Sequence, residues 1–279
     1  MTKLPFARME QLAEDLYVIE EMGSNIYLVR GSRKVLVLDT AYGLTDIRGT
    51  VRSLFGDMPV ICVNSHEHPD HNAGNNQFDV VYVGRFGEPF SHDVVDAEAK
   101  QDLRNFIGAR LDGYPFDYEA WTPGPAAKIE PVKDGDVFDL GGVRLTVLET
   151  PGHSLGEIAL YEPEKRWLFT GDSVLEWPVW GQLDTSLTLR GYLDSLKKMA
   201  ALVSDLDYVL PAHSVAGAPG ETGRFMLTPE ILTIYAEGTE KIVRGEAEGQ
   251  PYAEKGPWDC DARFVEFAIG GMGYDPARI

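Results

Sequence analysis

The segment PVICVNSHEHPDH, residues 59–71, runs four consecutive apolar residues into a His-x-His-x-Asp-His cluster. So short an apolar run, rich in β-branched side chains, predicts a buried strand. A loop turning off the end of such a strand can aim several side chains into one pocket. Neutral imidazoles with a carboxylate are the donors that suit Zn²⁺ and its neighbours. At this length and composition the pattern would arise by chance in roughly one chain in several thousand, so it is read as a metal motif.

The chain has only six histidines, and outward from this cluster three more polar sites follow apolar runs: Thr150-Pro151-Gly152-His153, Thr170-Gly171-Asp172-Ser173 and Leu210-Pro211-Ala212-His213. Any one of them alone reads more readily as a hydrogen-bonded structural histidine or a turn aspartate. Together with His66, His68 and His71 they place five of the six histidines at predicted strand ends, where a rigid scaffold presents functional side chains. His92, the sixth, sits in FSHDVVD and reads as a residue that caps or begins a helix, without a catalytic role.

LYVIEE, NIYLVRG and KVLVLDT predict an antiparallel meander. TDIRGTVRSLFG puts Ile47, Val51, Leu54 and Phe55 on one helical stripe, and DVVYVG predicts a further strand. DVFDLGGVRLTVLET and EIALYEPEKRWLFTGD read as hairpins, YLDSLKKMAALV and TPEILTIYAEGTEKIVRG as helices, and ARFVEFAIG as a last strand. Two strand-rich halves, each ending in a strand that delivers polar residues, predict an α+β protein with two sheets packed face to face. The expectation is a single domain over 1–279, with a lid or insertion around 85–130.

A net charge of −19 and the lack of a Lys/Arg cluster argue against nucleic acid. No segment approaches the length of a membrane span and no export signal is legible. The two cysteines, Cys62 and Cys260, form neither a CxxC pair nor a disulfide framework, which favours a reducing, cytoplasmic setting. The expected partner is a small-molecule substrate; the oligomeric state is not written in the sequence.

In residues and order, the stretch from about 15 to 215 resembles the metallo-β-lactamase superfamily. That resemblance implies a four-layer αββα sandwich of two mixed β-sheets. It also implies a dinuclear centre: His66, His68 and His153 on one ion, Asp70, His71 and His213 on the other, and Asp172 bridging. Asp39, in VLVLDT, takes the family position that supports a ligand histidine from behind. The cofactor implied is two divalent ions, zinc first, with iron or manganese as alternatives. Ions sharing Asp172 would share a water and lower its pKa, leaving a bridging hydroxide as nucleophile. Asp70 would also be placed to carry a proton to the leaving group.

Trp177 and Trp180, just past Asp172, stand where the family lines its pocket. Tyr114, Tyr118 and Tyr192 are phenols available to an oxyanion or leaving group. All seven ligands are kept, as in the glyoxalase II and lactonase-like branch, so the implied reaction is hydrolysis of a small ester, lactone or thioester. A glutathione thioester is disfavoured, because after His213 only Arg224 offers a positive charge in SVAGAPGETGRFMLTPE. The alternatives are a mononuclear iron oxidoreductase of the persulfide dioxygenase kind and a catalytically silent metal-binding regulator.

Overall fold

In a computed structural model that describes residues 7–91, 101, 104, 105, 107, 108, 121, 123, 124, 126–214, 225–252 and 256–279, the apolar runs of the first third form the expected meander. The chain divides into two compact units, Met1–Val132 with Asp139–Val143, and Lys133–Phe138 with Arg144–Ile279.

The first unit is built on a seven-stranded sheet: β1 (Ala7–Ala13), β2 (Leu16–Glu21), β3 (Ser24–Arg30), β4 (Val35–Leu38), β5 (Val60–Val63), β6 (Val80–Gly84) and β7 (Lys128–Val132), in that spatial order. β1 to β4 pair antiparallel, and β4 to β7 pair parallel. β4 is buried at all four positions, as an all-aliphatic central strand must be. Helix α1 (Ile47–Phe55) crosses from β4 to β5. It begins where the Asp46 carboxylate accepts from Gly49 N at 2.8 Å and stops at Gly56, φ 69°. Its Ile47 and Val51 join Ile19, Ile26, Leu28, Val35, Val37 and Val81 in one apolar core. Parallel pairing of Leu38 with Val63 ends β4 and β5 side by side, which brings Asp39 beside the start of the histidine loop.

The second unit carries a five-stranded sheet, order β13-β11-β10-β9-β8. Its members are β8 (Val137–Asp139, whose last residue belongs to the first unit), β9 (Arg144–Glu149), β10 (Ile158–Glu162), β11 (Trp167–Gly171) and β13 (Tyr208–Pro211). Both expected hairpins are there, β10 and β11 pairing Leu160 with Phe169. Beyond the two expected mixed sheets there is a third, four-stranded one: β12 (Pro178–Gly181), β14 (Gln250–Pro251), β15 (Arg263–Glu266) and β16 (Gly271–Tyr274). Helices α3 (Leu189–Ala200) and α4 (Glu230–Val243) share a core with the strands of this unit through Tyr192, Leu196, Leu232, Tyr235, Leu168 and Met272. Much of the expected insertion at 85–130, with His92, Tyr114 and Tyr118, lies outside the described residues, as does Arg224. Cys62 and Cys260 are both free thiols.

Candidate metal centre

In the first unit the donors follow β5. Pro69 opens a single helical turn, α2 (Pro69–Asn72), and His68 before it is extended, as a residue preceding proline prefers. The loop is braced by buried amides and a hydroxyl. Asn64 Nδ2 donates to the His71 carbonyl at 3.0 Å and Asn75 Nδ2 to Asn64 Oδ1 at 2.7 Å. Thr40 Oγ1 donates to Asn75 Oδ1 at 2.9 Å, and Asn72 Nδ2 to the Glu67 carbonyl at 2.7 Å.

Asp39 closes this network from behind. Its Oδ1 accepts from Ser65 N at 2.6 Å, and its Oδ2 lies 2.8 Å from Ser65 Oγ and 3.1 Å from His71 Nδ1. Ser65 Oγ in turn lies 3.0 Å from His66 Nδ1. Asp39 holds this post in the left-handed region, φ 68°, a conformation that costs a non-glycine residue of order 1 kcal/mol. These contacts assign the Nδ1 proton on both His66 and His71, because each Nδ1 faces an acceptor, and so leave the Nε2 lone pairs to point elsewhere. His66 Nε2 then faces His68 Nδ1 at 3.0 Å, and His71 Nε2 faces Asp70 Oδ2 at 3.4 Å.

The second unit repeats the device. The parallel neighbours β11 and β13 end together, Gly171 opposite Pro211 with Ala212 N donating to the Gly171 carbonyl at 2.9 Å, so Asp172 and His213 emerge side by side. His153 stands in the turn between β9 and β10, its Nδ1 donating to the Trp180 carbonyl at 2.8 Å. Its Nε2 lies 3.6 Å from Asp172 Oδ2, and His213 Nε2 lies 3.2 Å from the same oxygen. Gly152 is required here, since a Cβ would stand 2.1 Å from the Tyr192 ring.

In each unit an imidazole whose Nδ1 faces an acceptor thus turns its Nε2 lone pair toward another group that can itself accept: His66 toward His68 Nδ1 in the first, His153 toward the Asp172 carboxylate in the second. Buried groups of that kind repel unless a cation or a proton lies between them. Two nitrogens each bonded to one zinc ion in near-tetrahedral geometry would stand roughly 3.3 Å apart, close to the separations found. The donor set thus fits divalent ions.

Trp177 and Trp180 differ in setting. The Trp177 ring is 6.0 Å from that of His213, centroid to centroid. Trp180 is 41% exposed and packs edge-on against Trp258 at 5.4 Å. Tyr192 is not available as an oxyanion helper: it is buried, its hydroxyl donates to the Ser173 carbonyl at 2.7 Å, and burial pushes its pKa up. Sequence reasoning missed the bracing residues Thr40, Asn64, Asn72 and Asn75, and also Glu157 and Tyr235. The only signal for them was polar character next to the histidine motif or inside apolar runs.

Residues 19–213 match the profile of the Metallo-beta-lactamase superfamily. The chain belongs to that superfamily. Among its superfamily relatives, the bovine and human proteins named acyl-coenzyme A thioesterase MBLAC2 are each 30% identical over 241 residues, which covers 76% of this chain and 83% of theirs. A solved metallo-beta-lactamase from Pontibacter korlensis covers 84% of this chain and 99% of its own at 15% identity and TM-score 0.57. A metallo-beta-lactamase family protein from Thermus thermophilus covers 87% of this chain and 80% of its own at 22% identity and TM-score 0.54. At such identities the structures speak for the fold alone, and that fold is the metallo-β-lactamase α+β sandwich.

Proposed function

We propose that this superfamily member is a dinuclear metal-dependent hydrolase of acyl thioesters, with small esters and lactones as related substrates. The observation that carries the reading is Asp172 Oδ2 set between the Nε2 atoms of His153 and His213, at 3.6 and 3.2 Å, an arrangement suited to a carboxylate shared by two cations. His66, His68 and His153 would hold one ion, Asp70, His71 and His213 the other, with Asp172 common to both. Zinc suits this mixture of imidazole and carboxylate, and iron or manganese could replace it. When bound, the ions supply a water acidic enough to attack near neutral pH and Lewis acidity toward a carbonyl oxygen.

The chain's own residues do the rest. Asp39 fixes His71 directly and His66 through Ser65, so that both present Nε2. Asp70, partly exposed, would pass a proton to the departing thiolate while it serves as a ligand. Trp177 and Trp180 would offer apolar surface to the acyl group. Thioesters lead because the relatives at 30% identity are named for acyl-coenzyme A thioester hydrolysis. Two free thiols, one buried in β5, suit a reducing cytoplasmic setting. Among the described residues no helix is long and apolar enough to cross a membrane.

The test is elemental analysis of the purified chain, followed by thiol release from a series of acyl-coenzyme A thioesters. Two divalent ions per chain and turnover that is lost on chelation and restored by zinc are expected. A single iron with oxygen consumption, or hydrolysis indifferent to chelation, would overturn the reading.

A further inference from the structure

Glu157, immediately before the hairpin strand β10, is a glutamate with 1% exposure that no part of the reaction so far uses. Its Oε1 accepts from the main-chain N–H of Asp172 at 2.6 Å. Its own carbonyl accepts from Thr150 N at 3.0 Å and thereby closes the base of the turn that carries His153. One residue thus ties two donor-bearing segments together: the turn 150–157 through its main chain, and the bend after β11 through its side chain. Burying a carboxylate is costly, and a hydrophobic residue would serve packing alone at less expense. The short bond from the Asp172 main-chain N–H to Glu157 Oε1, at 2.6 Å, fixes where the main chain of Asp172 stands.

We propose that Glu157 is the positioning residue for Asp172, holding its main chain so that Oδ2 lies between His153 and His213. The inference rests on the reading of Asp172 as a shared metal ligand. It assigns the role to the reach of the Glu157 side chain, not to its charge.

Reach and charge can be separated. Glu157→Gln keeps an oxygen at the same distance and removes the charge. Glu157→Asp keeps the charge and shortens the side chain by one methylene, which withdraws the acceptor from Asp172 N. Chelator competition would measure the affinity of zinc-loaded wild type and both variants, with thermal unfolding of the metal-free proteins alongside. Glu157→Gln should stay within about threefold of wild type, while Glu157→Asp should lose roughly 10–100-fold in affinity, the range found when a group that orients a metal ligand is removed. The inference is overturned if Glu157→Asp binds as tightly as wild type. It is overturned equally if Glu157→Gln loses as much as Glu157→Asp, or if both lower the unfolding temperature without touching affinity. Failure of the wild type itself to bind zinc would instead sink the dinuclear reading, so the two failures are told apart.

Discussion

Glu21, at the end of β2, offers a sharp test of the electrostatics of the first unit. It is fully buried, and its oxygens accept from Leu44 N at 3.2 Å and Thr45 N at 2.7 Å. Burial outweighs these bonds and raises its pKa from 4.5 to about 7. The folded chain therefore grips this proton more tightly than the unfolded chain does. The stability it contributes is complete below pH 4.5 and is lost as pH climbs through about 7. At about 1.36 kcal/mol per pH unit, the loss across that window is about 3 kcal/mol. Glu21→Gln cannot titrate. It carries a fixed penalty, because one amide oxygen cannot serve both N–H groups as well as a carboxyl does, but that penalty does not vary with pH. Urea unfolding of both proteins from about pH 4 to 8.5 should show the stability of Glu21→Gln, relative to wild type, rising by about 3 kcal/mol, with a slope of about 1.4 kcal/mol per unit between the two pKa values. Titrations common to both chains cancel in the difference. A difference that is flat, or that rises toward acid, would refute the argument that desolvation governs this site.

Gly152→Ala sets a methyl 2.1 Å from a Tyr192 ring whose hydroxyl is anchored to Ser173, so stability should fall by about 1–3 kcal/mol in calorimetry and bound zinc should weaken as His153 shifts. Tyr235→Phe removes a buried hydroxyl that serves Leu175 N and O, Trp177 O and Gly271 N, and should cost about 2–4 kcal/mol in denaturant unfolding. Asp39→Asn turns a donor toward Ser65 N or His71 Nδ1, and zinc affinity by chelator competition should drop roughly 10–100-fold while overall helix and strand content by circular dichroism persists. Asp172→Ala should lose both tightly held metal and turnover; retention of two tightly bound ions would refute its bridging role.

Most of the scaffold was legible because periodicity reports burial. The aliphatic runs of β3, β4 and β5 and the stripe of α1 are patterns that only a core explains. β1 escaped notice because ARMEQLA is half-exposed and follows no clean alternation, and β12, β14 and β16 are too short to show any. At the site, the histidines and aspartates were readable as donors because their rarity and strand-end positions coincide. Glu157, Asn64 and Asn75 were not, since a buried acceptor or amide carries no local signature. What each one meets, the Asp172 amide, a loop carbonyl or a neighbouring amide oxygen, becomes apparent only when distant segments are folded together. Tyr192 misled for the same reason: nothing in a lone tyrosine says that its hydroxyl is already engaged.

Among the described residues, β13, which delivers His213, is the outermost strand of its sheet, hydrogen-bonded along its length to β11 and touched on the other side by one bridge from Val209 to Leu227. Edge strands fray first, and each opening would carry one imidazole away from its companions. With His213 as a metal ligand, as proposed, the dwell time of that ion would be limited by how often this margin of the sheet opens. Amide protons of β13 should then exchange with solvent far more slowly once metal is in place, which would tie a local opening of the fold to the residence of the ion.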